Sequence, residues 1–156
     1  MTQPSKEKAI LSGIGKFGTL SELLKRNLDA NITIGNSNLT DITIDHAKFN
    51  FMVIQVTYPD GTKKNIKVKT SRTKRFVTNW QKYRDATEQP DYWVIVHIDR
   101  NEISHYYILT HAELGVIQAE RNGCSQEEIS SIGVDNVLLK HIDAHENRWD
   151  KIVERK

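Results

Sequence analysis

A mixed central β-sheet flanked by helices, an α/β or α+β arrangement, is the architecture this chain should adopt. Two segments carry the letters of a capping box, "TLSE" at 19–22 and "THAE" at 110–113. In such a box a hydroxyl accepts from the third helical amide and the glutamate reaches back to the cap. Between them, β-branched and aromatic residues crowd "FNFMVIQVTYPDGTKKNIKVKT", and "YWVIVHI" is nearly continuous in apolar residues, as in a strand covered on both faces. A helix, then strands, then strands with helices is the order of a mixed sheet with helices packed against it.

At 156 residues the chain has the length of one domain around one core. Its single cysteine, Cys124, has no partner within the chain, and no apolar run has the length of a membrane span or a leader, so a soluble cytoplasmic protein is expected. The first eighteen residues read as a flexible lead-in to a domain over 19–156. Within them "GIGKFG" at 13–18 matches G-x-G-x-x-G by letter, but no strand precedes it, so a dinucleotide site is rejected.

The first box should open a helix over 20–29 with Leu20, Leu23, Leu24 and Leu28 as its apolar stripe. "PDGT" at 59–62 is a turn, which joins 49–58 and 63–70 as a hairpin. Phe76, Trp80 and Tyr83 fall at i, i+4, i+7, a spacing that favours core contact in a short helix or packed loop over base stacking. Strands follow at 92–98 and 105–109, then a helix to about 121 and a short one from "SQEE" at 125–128. The tail, 135–154, is amphipathic and expected to be mostly helical, with Trp149, Ile152 and Val153 as its apolar contacts.

The net charge is only +2, but residues 63–84 hold nine Lys/Arg and no acid, which leaves 13 basic against 20 acidic residues elsewhere. Such segregation is the footprint of a polyanion partner, most often nucleic acid; the alternative is a solvated basic face with no ligand. Alternation along the hairpin's second strand sets Lys67 and Lys69 on one face and Ile66, Val68 and Thr70 on the other. Lys63, Lys64, Arg72, Lys74 and Arg75 are the further candidates for DNA phosphate contacts, which need only charge and reach.

Histidines offer less. His141 and His145 stand at i, i+4 beside Asp143 and Glu146, but the residue after His141 is Ile142 rather than a glutamate, so a solvated face is preferred to a zinc site. His97, His105 and His111 have no Ser or Cys nucleophile in view and read as satisfied or edge histidines.

"IKVKTS" (66–71), Trp80, "YWVIVHI", "YYIL" (106–109) and "RWDKI" (148–152) succeed one another in the order and spacing of a known group. From residue 13 to about 153 the chain resembles small bacterial members of the PD-(D/E)XK nuclease superfamily. The resemblance implies a restriction-endonuclease-like fold and a Mg²⁺-dependent DNA endonuclease. It makes Lys69 the catalytic lysine and Glu22 the helix carboxylate that assists the metal. Lys67 falls where the family has Glu, Asp or Gln, and Asn50 where it has the Asp that opens the hairpin. A charged lysine offers no lone pair to a metal and asparagine no charge, so Asp45 or Asp41 is the substitute metal ligand. Two functions follow: a nuclease using Asp45 or Asp41 with Glu22, or a catalytically inactive domain that binds DNA or a protein. Many relatives act as dimers, and the acidic remainder would suit a basic protein partner.

Overall fold

The structure, a computed structural model, describes residues 3–34, 49–50, 52–80, 89–123 and 136–153. Strands β1 (Asp29–Ile34), β2 (Met52–Thr57), β3 (Lys63–Ser71), β5 (Tyr92–Ile98) and β6 (Ser104–Thr110) form one sheet in that order. Every neighbouring pair is antiparallel except β3 and β5, which run parallel, so the sheet is mixed and mostly antiparallel. A parallel pair needs a crossover. Here it includes β4 (Arg75–Val77), which pairs in a second small sheet with β7 (Asn136–Leu138).

The hairpin forms as expected. Gly61 takes φ +87°, which a Cβ would oppose, and the Tyr58 amide donates to Thr62 O at 2.8 Å. Strand β5 is also as expected, since its two faces enter two cores. Val94 and Val96 pack with Leu23, Ile54, Val68 and Trp149, while Trp93 and Ile95 pack with Phe76, Trp80, Leu109 and Leu114. Helix α2 (His111–Asn122) opens on the complete Thr110–Glu113 capping box and closes on left-handed Gly123. Its Gly115 lies so close to the Trp80 ring that a Cβ would overlap it.

Helix α1 departs from expectation. It runs from Gln3 to Lys25, so the stretch expected to be a flexible lead-in is helix, and "TLSE" lies inside it rather than at its start. Left-handed Asn27 ends it, with Leu28 N donating back to Leu23 O at 3.2 Å, so the helix stops at Lys25 rather than at 29 and β1 begins at Asp29. The three glycines that mimic a dinucleotide loop are packing residues. A Cβ at Gly15 would overlap the Thr70 side chain and one at Gly13 the Phe49 ring, so the helix lies close against the sheet.

The tail is also different from the long helix expected of it. Residues 136–138 pair with β4, two single 3₁₀ turns follow at Leu139–His141 and Asp143–His145, and among the described residues of the tail only α3 (Asp150–Val153) is α-helical. Strand pairing takes the backbone donors a helix would use, and Asn147 N, donating to Tyr106 O at 2.8 Å, ties the tail to β6. Trp149 and Ile152 are buried in the first core as expected, and Val153 is exposed. Trp80 is a core residue that donates to His111 O at 2.9 Å; Tyr83, "SQEE" and Cys124 lie outside the described residues. Among the described residues no helix is long and apolar enough to cross a membrane.

Candidate functional site

The ladder between β2 and β3 runs from Thr57–Lys63 to Ile54–Ile66 and stops, while β3 continues to Ser71 paired with β5. Beyond Ile66 no described strand pairs with that edge of β3. α1 fills part of the space and leaves a cavity of about 230 Å³. Lys8, Ser12 and Lys16 line it from the helix, Lys67, Lys69 and Thr70 from β3, with Asn50 at its side. A second cavity of about 260 Å³ shares Lys8, Lys69 and Thr70 and continues past Arg75 and Asn79.

Lys8, Ser12 and Lys16 are spaced i, i+4, i+8, which aligns them on one helical face. Burial deepens along that stripe: Lys8 is exposed, Ser12 intermediate and Lys16 only 5% exposed. The Lys16 ammonium donates to Phe49 O at 2.7 Å, and Ser12 Oγ reaches the same carbonyl at 3.4 Å. Burial, then the nearby charges of Lys67 and Lys69, push the Lys16 pKa down from 10.5 to about 8. At neutral pH Lys16 is still mostly charged. A buried ammonium with lysines for neighbours is a place where an incoming anion is favoured.

Lys67, Lys69 and Asn50 therefore come together. Lys67 and Lys69 are half-buried, against the picture of a fully solvated outer face, and stand in register with Trp93 and Ile95. Glu22 is elsewhere: it pairs with Lys25 at 3.0 Å and Arg26 at 3.1 Å near the end of α1. Burial alone would raise its pKa, but those two cations hold it below the ordinary carboxylate value. Of the helix residues, Lys16 lies near the charges of both β3 lysines, and Glu22 is not among the residues that line the two cavities.

The remaining basic residues divide. Arg75 lines the second cavity. Arg72, ion-paired to Glu102 at 2.6 Å, and Lys74 line a separate hollow with His97 past the carboxyl ends of β3 and β5. Lys63 and Lys64 lie at the other end of β3, about 17–20 Å from Lys69 at the rise of an extended strand, and Lys64 is 3.7 Å from Asp91. Asp41 and Asp45 lie outside the described residues.

Mg²⁺ is held by carboxylate, carbonyl and water oxygens. The described lining offers ammonium, amide and hydroxyl groups and no carboxylate, so these residues do not fit the ion. Among the described residues no three His, Cys, Asp or Glu converge in a way that could hold a metal. His145 Nδ1 is 2.7 Å from the Lys151 ammonium rather than turned to His141. His105 is engaged by Asp99 at 2.8 Å and Glu146 at 3.3 Å, with Asp99 the main reason its pKa is raised. His111 accepts from Trp93 Nε1 at 3.0 Å and stacks on Trp80, a satisfied core histidine at that nitrogen.

Sequence reasoning missed Lys8, Ser12 and Lys16. Their i, i+4, i+8 spacing was the available signal, hidden because three glycines made the segment look like a loop. Searches against family models, curated proteins and solved structures found no match.

Proposed function

We propose that this chain is a nucleic-acid-binding domain that takes backbone phosphate in the cavity between α1 and β3. One observation carries the reading: Lys8, Lys16, Lys67 and Lys69 line a single cavity whose described walls hold no carboxylate. Phosphate neutralises such a cluster with charge-assisted hydrogen bonds, and no sequence readout is needed. Lys16 and Lys67 hold the anion from opposite walls, Lys69 bridges to the second cavity, and Arg75 extends the track. The finer assignment, a restriction-endonuclease-like fold, draws support from the mixed sheet, from α1 packed beside the lysine-bearing strand, and from the buried Trp80 and Trp149.

A second reading, metal-dependent phosphodiester hydrolysis, is favoured by one detail. Asn50, which follows the segment carrying Asp41 and Asp45, lines the lysine cavity. Because the described residues do not fit Mg²⁺, that reading rests on those two aspartates alone.

Incubation with plasmid, linear and single-stranded DNA in Mg²⁺, Mn²⁺ or EDTA, beside Lys69→Ala, separates the two. Binding that weakens steeply with salt, is lost in the variant and leaves DNA intact is the expected result. Metal-dependent cleavage abolished by Lys69→Ala would establish the nuclease instead. A flat salt response would sink both.

A further inference from the structure

His105 stands on β6 directly opposite His97 of β5, and both of its ring nitrogens face carboxylates. Nε2 is 2.8 Å from Asp99 Oδ2, in the turn between the two strands, and Nδ1 is 3.3 Å from Glu146 Oε2, in the tail. An ionised carboxylate only accepts hydrogen bonds, and a neutral imidazole has one N–H and one bare lone pair. Both contacts form together only when both nitrogens carry protons, so this geometry belongs to the imidazolium.

The neighbours keep that proton on His105. Its pKa is raised first by the hydrogen bond to Asp99; burial opposes this, and Glu146 adds to it. His97, with its ring centroid 6.2 Å away, shifts downward through burial and then the charge of His105, so it stays neutral beside it. The other described charged or titratable groups nearby are Arg72, Lys74 and Arg100, which line a hollow with His97 and Asp99, and Tyr107 and Asp143 near Glu146. At 34% exposure the His105 side chain exchanges its proton with solvent without any opening of the core.

The two carboxylates are not held equally once the proton leaves. Asp99 Oδ1 accepts from the amides of Asn101 at 2.8 Å and Ile103 at 3.1 Å, which fix it in its turn. Glu146 follows a single 3₁₀ turn and joins β6 through an isolated bridge to Tyr107, beside the bond from Asn147 N to Tyr106 O. A neutral ring keeps its N–H on the shorter contact, with Asp99, and turns a bare lone pair toward Glu146. The tail is therefore the side that lets go.

We infer that His105 is a proton-operated latch: protonated, it fastens the tail at Glu146 to β6 and the β5–β6 turn, and neutral, it releases Glu146 while keeping Asp99. Linkage gives the direction. A raised folded pKa adds stability that is complete below the ordinary value of 6.5 and is lost as pH rises through the higher folded value. The latch is closed in mild acid and opens toward alkaline pH.

Nuclear magnetic resonance on the isotope-labelled full chain tests each part. His105 should titrate above 6.5, and its neutral form should be the Nε2–H tautomer. Protection of the Asn147 amide, corrected for intrinsic exchange, should fall about threefold across that titration, as loss of a partly exposed ion pair implies. Glu146→Gln should flatten the fall, because a primary amide can accept from the charged ring or donate to the neutral one. Should that variant fail to fold, His105→Gln should flatten it as well. Titration at or below 6.5, a neutral Nδ1–H tautomer, or protection of Asn147 that is independent of pH in the parent overturns the latch. A fall that persists in the folded variant assigns the pH dependence to another group and overturns it too.

Discussion

Lys16 is buried and Lys151 partly so, but the described charges beside them have opposite sign. The Lys151 side chain is 12% exposed, and its ammonium donates to Ile108 O at 2.9 Å and to Glu113 Oε1 at 3.0 Å, with His145 Nδ1 2.7 Å away. Burial and then Lys151 itself push the His145 pKa down, so the ring is neutral and accepts. Glu113 also accepts from the Thr110 amide as part of the α2 cap, so one carboxylate ties α3 to α2 and β6. Lys16 has a single carbonyl acceptor among the described residues, and the charges that shift its pKa are two further lysines. A lysine whose counter-charge comes from the same chain is built for stability. One buried beside like charges, next to a cavity, is built for a counter-charge from outside.

The largest expected effect breaks the comparison at the binding end. Lys67→Glu with Lys69→Glu should weaken DNA binding at low salt by about a hundredfold, a decade for each charge-assisted hydrogen bond that the pair of substitutions removes. Lys151→Met should leave that affinity unchanged. An equal drop in affinity for Lys151→Met would mean that the two lysines do not differ in role.

Stability should run the other way. Lys151→Met removes one partner of an ion pair that is partly exposed on the Glu113 side, so the cost is about 2 kcal/mol and the melting temperature falls by about 4–8 °C. Lys16→Met removes an ammonium whose pKa is held down by burial and like charge, and should melt no lower than the parent at neutral pH. Thermal denaturation of both variants checks the pair; a destabilised Lys16→Met would reveal an internal counter-charge.

The smallest effect sharpens the sign. The unfolded lysine binds its proton up to about 10.5 and the folded Lys16 only up to about 8, so the parent protein gains stability as pH rises between those values. Any advantage of Lys16→Met should therefore shrink across that interval. Melting curves at neutral and alkaline pH read it directly, and an advantage that grows with pH would contradict the burial of a charged Lys16.

Much of the sheet was legible because its cues are local. "PDGT" with Gly61 sets the hairpin, the two-sided apolar run of "YWVIVHI" sets an interior strand, and Thr110 with Glu113 caps α2. Helix α1 was not, because Gly13, Gly15 and Gly18 each lower helix propensity, and only their close approach to Phe49, Thr70 and Tyr106 shows why the helix keeps them. Nor was the tail: Trp149 and Ile152 have helical spacing and are buried, but the pairing of β7 with β4 takes residues 136–138 out of any helix. In the site, Lys67 and Lys69 were visible from alternation, whereas Glu22 was assigned by resemblance and turned out to be paired along its own helix.

The amino-acid sequence by itself determined the alternation that puts Lys67 and Lys69 on one side of a strand, and the basic segregation around them. Both follow from chain order and the two-residue period of a strand. Tertiary structure alone decided that the β2–β3 ladder ends at Ile66 and that α1 brings Lys8, Ser12 and Lys16 to one cavity with Lys67 and Lys69. The burial of Lys16 is a property of residues more than thirty positions apart in the chain, Phe49 and the β3 lysines, and short-range spacing carries no record of it.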